Sequence, residues 1–476
     1  MNIALAQTRF KTADFEFNYK NIVEKIENTD CDLIIFPEYD LTDTGAKDLV
    51  FDESCCAKQD ELYSKIAANT INKNVLIGEV LIRNGQVELS DDGFYEINDK
   101  KIFVSDTYRC DIVCDLYVLA KNKYYTMNSY KDFVECVDTN SNFIFVNSIG
   151  MADENIYAGG SFAKNKDNEL VLQMPICEED VQILDFTAVK PFIEEQTEKQ
   201  VLDVTTFALK EYCENTGFKK VILGLSGGID SALTAAIAVN ALGSENVFGV
   251  LMPSMYSSEG SITDSLKLAQ NLGIKTAKHA ITPLYKNFMD KVAHVSPEDE
   301  NTTTLAEENL QARLRGLILM YFSNRDNCLL LSTGNKSESA MGFGTLYGDM
   351  AGGFNLICDL TKTNVYKLSN YINKEREIIP QEIIDKAPSA ELHPGQKDQD
   401  RLPAYEILDD VIEMYVEQCK PKEEIYRKHG KSLVDDIIRK IYRMQFKRKQ
   451  TCLGVRLTER SFCQGVEYPI SQRYYW

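Results

Sequence analysis

The stretch that most constrains the fold lies near the middle of the chain. Val221-Ile222-Leu223 is an apolar run, Gly224 to Gly228 is a turn built largely of small residues, and Ile229-Asp230-Ser231 opens a helical segment through Ala241. A second apolar run, Asn246 to Leu251, follows. Strand, glycine turn, helix and strand in this order form the βαβ unit of a doubly wound parallel sheet. Open sheets of this kind bind ligands beyond the carboxyl ends of their strands, which puts the expected chemistry at the turn.

The turn has the composition of a phosphate cradle. Glycines leave backbone N–H groups free to curl around an anion, the Ser226 and Ser231 hydroxyls add donors, and the helix N-terminus adds positive potential. Gly224, Leu225, Ser226, Gly227, Gly228, Ile229, Asp230 and Ser231 are therefore the candidate phosphate-binding residues, against the plainer alternative of an ordinary strand-to-helix turn. No lysine follows the glycines, which separates the turn from a Walker loop. Asp230 would repel phosphates unless it held a cation, which makes it a candidate Mg²⁺ ligand.

Length and charge bound the rest. A chain of 476 residues exceeds one ordinary core and predicts two domains. The formal net charge of −20 sets up a field that repels polyanions, so nucleic acid is disfavoured as a substrate, whereas a small nucleotide answers to local donors. Neither a signal peptide nor an apolar run long enough to span a bilayer is read, so no membrane partner is expected. Thirteen cysteines, an odd number without a secretory signal, predict reduced thiols in the cytoplasm. Cys110 and Cys114 have no second Cys/His pair to complete a zinc site.

Short apolar runs at residues 3–6, 33–36 and 75–78 alternate with amphipathic stretches at 18–27 and 62–68, and further strand-like runs lie at 101–104, 142–146 and 181–186. They predict an α/β sandwich over residues 1–187. A polar, acidic segment with Pro191 predicts a linker over 188–200, and the second domain is expected over 201–476, opening with a helix from Val201 to Cys213.

Ser226-Gly227-Gly228-Ile229-Asp230-Ser231 resembles the loop of the N-type ATP pyrophosphatases. Further blocks follow in order: Asn309 to Arg315, Ser332 to Glu338, Tyr347 to Gly353, Asp359 to Lys362 and Pro388 to Leu392. Together these closely resemble the NAD synthetase family. The resemblance implies an adenine nucleotide alpha hydrolase-like fold, ATP as co-substrate with Mg²⁺, deamido-NAD as the acceptor, and amidation by ammonia. Thr333 and Ser389 are expected at ATP, and Glu338, at the end of a strand, is a second carboxylate for Mg²⁺. Lys336 and Lys362 are candidates for neutralising the leaving pyrophosphate. Asn309, Arg313, Arg315, Glu338, Asp349 and Lys447 are the candidate deamido-NAD contacts. Arg313 and Arg315 lie two apart and cannot share a helix face, so one meets ligand, with Arg315 favoured.

The first domain resembles the nitrilase-like glutaminase domain of the two-domain, glutamine-dependent members, through Ile3 to Gln7, Leu33 to Glu38, Asn128-Ser129, Val146 to Gly150 and Gly159 to Ser161. Such domains use a Glu-Lys-Cys constellation. Here Glu38 matches, Ser105 stands where the cysteine belongs, and the span from Gly78 to Ile102 is too short for the segment carrying the lysine. The implied reading is a degenerate glutaminase and an ammonia-fed ligase, served by free ammonia or by a separate ammonia-supplying protein, in a homo-oligomer. The alternative is a glutamine-dependent enzyme whose nucleophile has moved, with Cys110 and Cys114 as rivals. A tRNA-modifying enzyme is disfavoured by the charge and by the lack of a Cys-x-x-Cys pair. A nucleotide-binding regulator without turnover has no need of both Asp230 and Glu338.

Overall fold

The computed structural model describes residues 1–38, 45–70, 73–292 and 304–474. The chain forms two compact units, Met1–Val204 and Thr205–Trp476. The division falls within a helix, Thr197–Thr216, which begins ahead of Val201 and takes up the end of the expected linker.

In chain order the first unit carries strands β1 (Ile3–Gln7), β2 (Leu33–Phe36), β3 (Asn74–Ile77), β4 (Val80–Arg83), β5 (Gln86–Glu88), β6 (Phe94–Ile97), β7 (Lys100–Ser105), β8 (Leu116–Ala120), β9 (Asn142–Val146), β10 (Ile149–Ala152), β11 (Asn155–Ala158), β12 (Phe162–Lys164), β13 (Leu170–Gln173) and β14 (Asp180–Ile183). Its helices are α1 (Phe15–Asn28), α2 (Glu53–Ala68) and α3 (Tyr130–Cys136), and α4 is the helix Thr197–Thr216 that ends it. The strands make two six-stranded sheets of order β14-β1-β2-β3-β4-β5 and β13-β12-β9-β8-β7-β6, with β10 and β11 paired separately.

Side chains alternate across a strand, and that alternation builds the layers. Ile3, Leu5, Leu33 and Ile35 point from the first sheet into a core shared with Ile102, Val104, Val118 and Ile144 of the second. Ala4, Ala6, Ile34 and Phe36 point the other way, onto Ile22 and Ile26 of α1 and Leu62 and Ile66 of α2. On the outer face of the second sheet Phe103, Tyr117, Phe143 and Phe145 pack around Val134 of α3. The result is the expected α/β sandwich, with helices outside two facing sheets.

The second unit contains strands β15 (Val221–Gly224), β16 (Val247–Leu251), β17 (Lys275–Lys278), β18 (Leu329–Ser332) and β19 (Phe354–Asn355). They form one sheet of order β17-β16-β15-β18-β19, parallel throughout. The central strands β15 and β18 are apolar and buried, as expected of a parallel sheet covered on both faces, whereas the edge strand β17 has the sequence Lys-Thr-Ala-Lys and stays partly exposed. Strand order reverses direction between β15 and β18, the topological switch point of a doubly wound sheet.

Helices α5 (Ile229–Leu242), α6 (Glu259–Leu272), α7 (Thr282–Val292), α8 (Leu305–Asp326), α9 (Lys336–Met341), α10 (Lys362–Ile372) and α11 (Gln381–Asp385) surround the sheet, and α12 (Tyr405–Ile412), α13 (Lys422–His429), α14 (Lys431–Arg443) and α15 (Gln445–Arg448) form the carboxyl-terminal part. In α14 Val434, Ile437, Ile438 and Ile441 make an apolar stripe at helical spacing, and they are buried in a core with Leu408, Val411 and Ile412 of α12. Among the described residues no helix is long and apolar enough to cross a membrane. All thirteen cysteines are free thiols.

Candidate active site

The glycine turn lies at the carboxyl end of β15 and leads directly into α5. Gly227 has φ +75°, and a Cβ there would come within 2.5 Å of the Ser261 carbonyl oxygen, so both the left-handed backbone and the close approach of α6 require glycine. Ser231 shapes the turn from within. Its Oγ lies 3.0 Å from Ser226 Oγ and 3.3 Å from Ser226 N, and it donates to the Gly228 carbonyl at 3.0 Å. Ser226 Oγ in turn accepts from Gly228 N at 3.2 Å. The loop is held open by its own hydroxyls, ahead of the N-terminus of a long helix.

Across the switch point, Asn335 follows β18 and caps α9. Its side chain accepts from Glu338 N at 2.9 Å, while the Glu338 carboxylate accepts from Asn335 N at 3.1 Å. This reciprocal capping box fixes Glu338. The Asn335 amide also donates to Asp230 Oδ1 at 2.9 Å, joining the two carboxylate-bearing helices. Lys362, first residue of α10, reaches between them: its ammonium pairs with Asp230 Oδ2 and stands 3.8 Å from Glu338 Oε1.

Burial sets the electrostatics of this cluster. Burial, then the nearby Asp230 charge, drives the Glu338 carboxyl well above the usual carboxylate range. Burial works against the Lys362 ammonium too, but the Asp230 and Glu338 carboxylates outweigh it and raise its pKa. Two carboxylates therefore share one lysine, an arrangement with room for more positive charge. Among the described residues no group of three or more His, Cys, Asp or Glu is arranged to hold a metal alone. A pair of carboxylates suits Mg²⁺, which proteins commonly bind through one or two carboxylates, and Asp230 and Glu338 are the residues that would hold it.

These residues line a cleft of about 310 Å³ that also takes in Thr333, Arg315, Asp349, Ser389 and Lys447. Arg315 Nε donates to the Met252 carbonyl at 3.1 Å, and burial lowers its pKa to about 10, within the range where it stays charged at neutral pH. Burial raises the Asp349 pKa; its Oδ1 accepts from Thr345 N at 2.6 Å. Lys447 donates to the carbonyls of Gly342 at 2.8 Å and Gly344 at 2.6 Å.

Burial also depresses the Lys447 pKa. Between that value and the ordinary lysine range the folded protein holds fewer protons than the unfolded one, so this lysine makes stability rise with pH in that window. An anion bound at Lys447 favours the ammonium. Its affinity is expected to fall in the alkaline range, earlier than with an ordinary lysine, and Lys447→Arg is expected to flatten the profile. Titrating the binding of an anionic substrate from pH 7.5 to 10.5 checks both statements.

Three expected contacts lie outside the cleft lining. Arg313 is exposed and donates to the Leu346 carbonyl at 3.2 Å, and Asn309 accepts from Thr345 Oγ at 2.7 Å. Both brace the segment ahead of Asp349. Lys336 requires a correction, because its fully buried ammonium lies 2.8 Å from Asp359 and 2.6 Å from Glu417 and donates to Thr458 Oγ at 2.9 Å. It is committed to the interior and does not face a leaving pyrophosphate. Lys336→Met, which strands the buried Asp359 and the partly buried Glu417, is expected to lower stability by about 3–5 kcal/mol, measured by denaturant unfolding.

Asp398 was absent from the expected set. It lines the cleft, accepts from the Tyr405 hydroxyl at 2.8 Å, and burial raises its pKa. Glu391, within the Pro388 to Leu392 block, accepts from Ser258 at 2.8 Å, Ser261 at 2.7 Å and Lys386 at 3.0 Å. Neither acid sits in a periodic segment: Glu391 falls in the Pro388 to Leu392 block, and Asp398 opens a three-residue turn beyond it.

The sequence model of the family described as NAD synthase matches residues 201–451, which span the cradle, the Lys362 cluster and Lys447. The chain belongs to the NAD synthase family. A glutamine-dependent NAD(+) synthetase of Synechocystis is 43% identical over 344 residues, covering 70% of this chain and 61% of that protein. One from Thermotoga maritima is 32% identical over 571 aligned positions, covering 100% of this chain and 99% of that protein. The structure of the glutamine-dependent NAD+ synthetase from Acinetobacter baumannii in complex with ADP superposes with a TM-score of 0.73 at 30% identity, over 98% of each chain. This likeness over both halves supports the two-domain architecture, and the relatives' names favour the glutamine-dependent alternative.

Against that frame of NAD synthase relatives, the first unit has its own local geometry. The 571 aligned positions exceed the 476 residues of this chain, so the Thermotoga protein carries residues with no counterpart here. From β3 to β7 only residues 78–99 intervene: β3, β4 and β5 form an antiparallel run at one edge of the first sheet, and β6 pairs antiparallel with β7 in the second. Ser105 ends β7 and is buried, its hydroxyl donating to the Thr107 carbonyl at 2.8 Å and accepting from Thr107 N at 3.0 Å. Glu38 follows β2, and its carbonyl accepts from the Asn122 amide at 2.8 Å. Cys110 and Cys114 lie in the connection between β7 and β8. Burial raises the Cys114 pKa, which reduces its thiolate character.

Proposed function

We propose that the chain is an NAD synthetase that adenylates the nicotinate carboxylate of deamido-NAD with ATP and then amidates it with ammonia. The observation that carries this reading is the phosphate cradle at Gly224–Ser231, whose Asp230 is met by Glu338 and Lys362 from across the switch point. The carboxylate attacks the α-phosphorus, pyrophosphate leaves, ammonia attacks the acyl adenylate, and AMP departs. No covalent protein nucleophile is required, and the residues act by orientation and charge.

The turn N–H groups and the Ser226 and Ser231 hydroxyls orient the phosphates, with Thr333 and Ser389 alongside. Asp230 and Glu338 would hold Mg²⁺, which when bound would draw charge from the phosphate oxygens. Lys362 meets the negative charge that grows on the departing pyrophosphate. Arg315, Asp349 and Lys447 orient deamido-NAD in the same cleft, with Arg313 and Asn309 supporting them from outside its lining.

For the nitrogen source we infer free ammonia, or ammonia from a separate protein, because the Ser105 hydroxyl is committed to its own turn and only residues 78–99 join β3 to β7. The second reading, glutamine hydrolysed in the first unit by a relocated nucleophile, is favoured by the names of the relatives. A homo-oligomer is part of the proposal on family grounds. Product analysis with deamido-NAD and ATP tests the ligase reading, and parallel reactions with ammonium and glutamine separate the two nitrogen sources.

A further inference from the structure

Glu338 and Lys362 sit on separate short helices, and something must hold those helices in register. Ser337, second residue of α9, donates its hydroxyl to Asp409 Oδ1 and accepts from Lys362 N at 2.9 Å. The other carboxylate oxygen, Asp409 Oδ2, accepts from Thr363 N at 2.8 Å. The first two N–H groups of α10, which have no partner within their own helix, are thereby satisfied by one hydroxyl and one carboxylate. The negative charge also lies at the positive end of α10. Asp409 is 4% exposed and does not line the cleft. Its helix α12 is anchored by Leu408, Val411 and Ile412, each 0% exposed.

We propose that Asp409, acting through Ser337, is a positioning residue that fixes the N-termini of α9 and α10 and so sets the relation of Glu338 to Lys362. This inference rests on the proposed ligase site. Three hydrogen bonds through a single hydroxyl and a single carboxylate define the spacing of a carboxylate and an ammonium 3.8 Å apart. A buried acid on a carboxyl-terminal helix thereby controls a site built on the sheet.

The test uses the full chain with Asp409→Asn, Ser337→Ala, their combination, and Ser337→Thr. Asparagine keeps the shape but not the charge. Alanine removes the shared hydroxyl while leaving Asp409 bonded to Thr363, and it reads the same clamp should Asp409→Asn fail to fold. Each disruptive variant is expected to lower kcat for AMP formation about 10–100-fold with KM for ATP little changed, by analogy with groups that orient metal ligands. Ser337→Thr, which keeps the hydroxyl, is expected to recover most of the rate. The double variant is expected to be no slower than the slower single, because both act through one unit.

Electron paramagnetic resonance of Mn²⁺, titrated with the α,β-methylene analogue of ATP, supplies a readout independent of turnover. Its affinity is expected to weaken about tenfold in the disruptive variants. Folded variants with kcat and Mn²⁺ affinity within twofold of the unaltered protein, or losses that multiply in the double variant, would overturn the proposal. Should the unaltered protein form no AMP, the ligase reading fails on its own, and the Mn²⁺ titrations still decide whether the clamp sets the carboxylates.

Discussion

Asp230→Asn is expected to cut the rate of AMP formation by at least about 10²–10³-fold, the scale of losing one preorganised charge-stabilising group. The substitution acts twice. It removes one of the two carboxylates assigned to Mg²⁺, and it takes from Lys362 the partner that holds its buried ammonium, leaving Glu338, at 3.8 Å, to pair with it. The amide retains an oxygen for Asn335, so the fold around α5 and α9 is expected to survive. Initial rates across a series of Mg²⁺ concentrations, with circular dichroism to check folding, measure the effect. Near-normal turnover at low Mg²⁺ would remove the metal role from Asp230.

Nitrogen use is the second large effect. With deamido-NAD and ATP saturating, ammonium is expected to support NAD formation and glutamine to give little or none. Ser105→Cys alone is not expected to restore glutamine use, because a thiol would still lack an oxyanion-stabilising lysine, and losing one such donor costs about 10²–10³-fold. Ser105 also supports the turn at Thr107 through both its donor and its acceptor capacity, a task that a thiol performs poorly. The relatives' names point the other way, which makes the comparison decisive. Robust glutamine-dependent synthesis by the unaltered protein, lost in Cys110→Ala or Cys114→Ala, would establish the relocated nucleophile.

The architecture was legible wherever side-chain periodicity is simple. Ile3 to Ala6 and Leu33 to Phe36 read as strands because both of their faces meet apolar layers, and Val221 to Ser231 could be read as strand, turn and helix from composition alone. The start of α4 was less legible, because Thr197 to Gln200 is polar and lacks an apolar stripe to distinguish helix from linker.

The site was legible in part for a geometric reason. Residues two apart on a helix point to different sides, which separated Arg313 from Arg315 in the sequence. The same spacing separates Lys336 from Glu338: with Glu338 in the cleft, Lys336 turns into the interior, where Asp359 and Glu417 meet it. Those two acids lie 23 and 81 residues further along the chain and no local pattern joins them to Lys336. Asp398 and Asp409 were hidden likewise, since their partners become neighbours only in the folded unit.

The most direct test of the ligase reading is ³¹P nuclear magnetic resonance of the full chain with deamido-NAD, ATP, Mg²⁺ and ammonium. The account predicts AMP, pyrophosphate and NAD in equal amounts, with no ATP cleavage at that rate when deamido-NAD is left out. ADP and inorganic phosphate as the products, or consumption of ATP without any NAD, would contradict it.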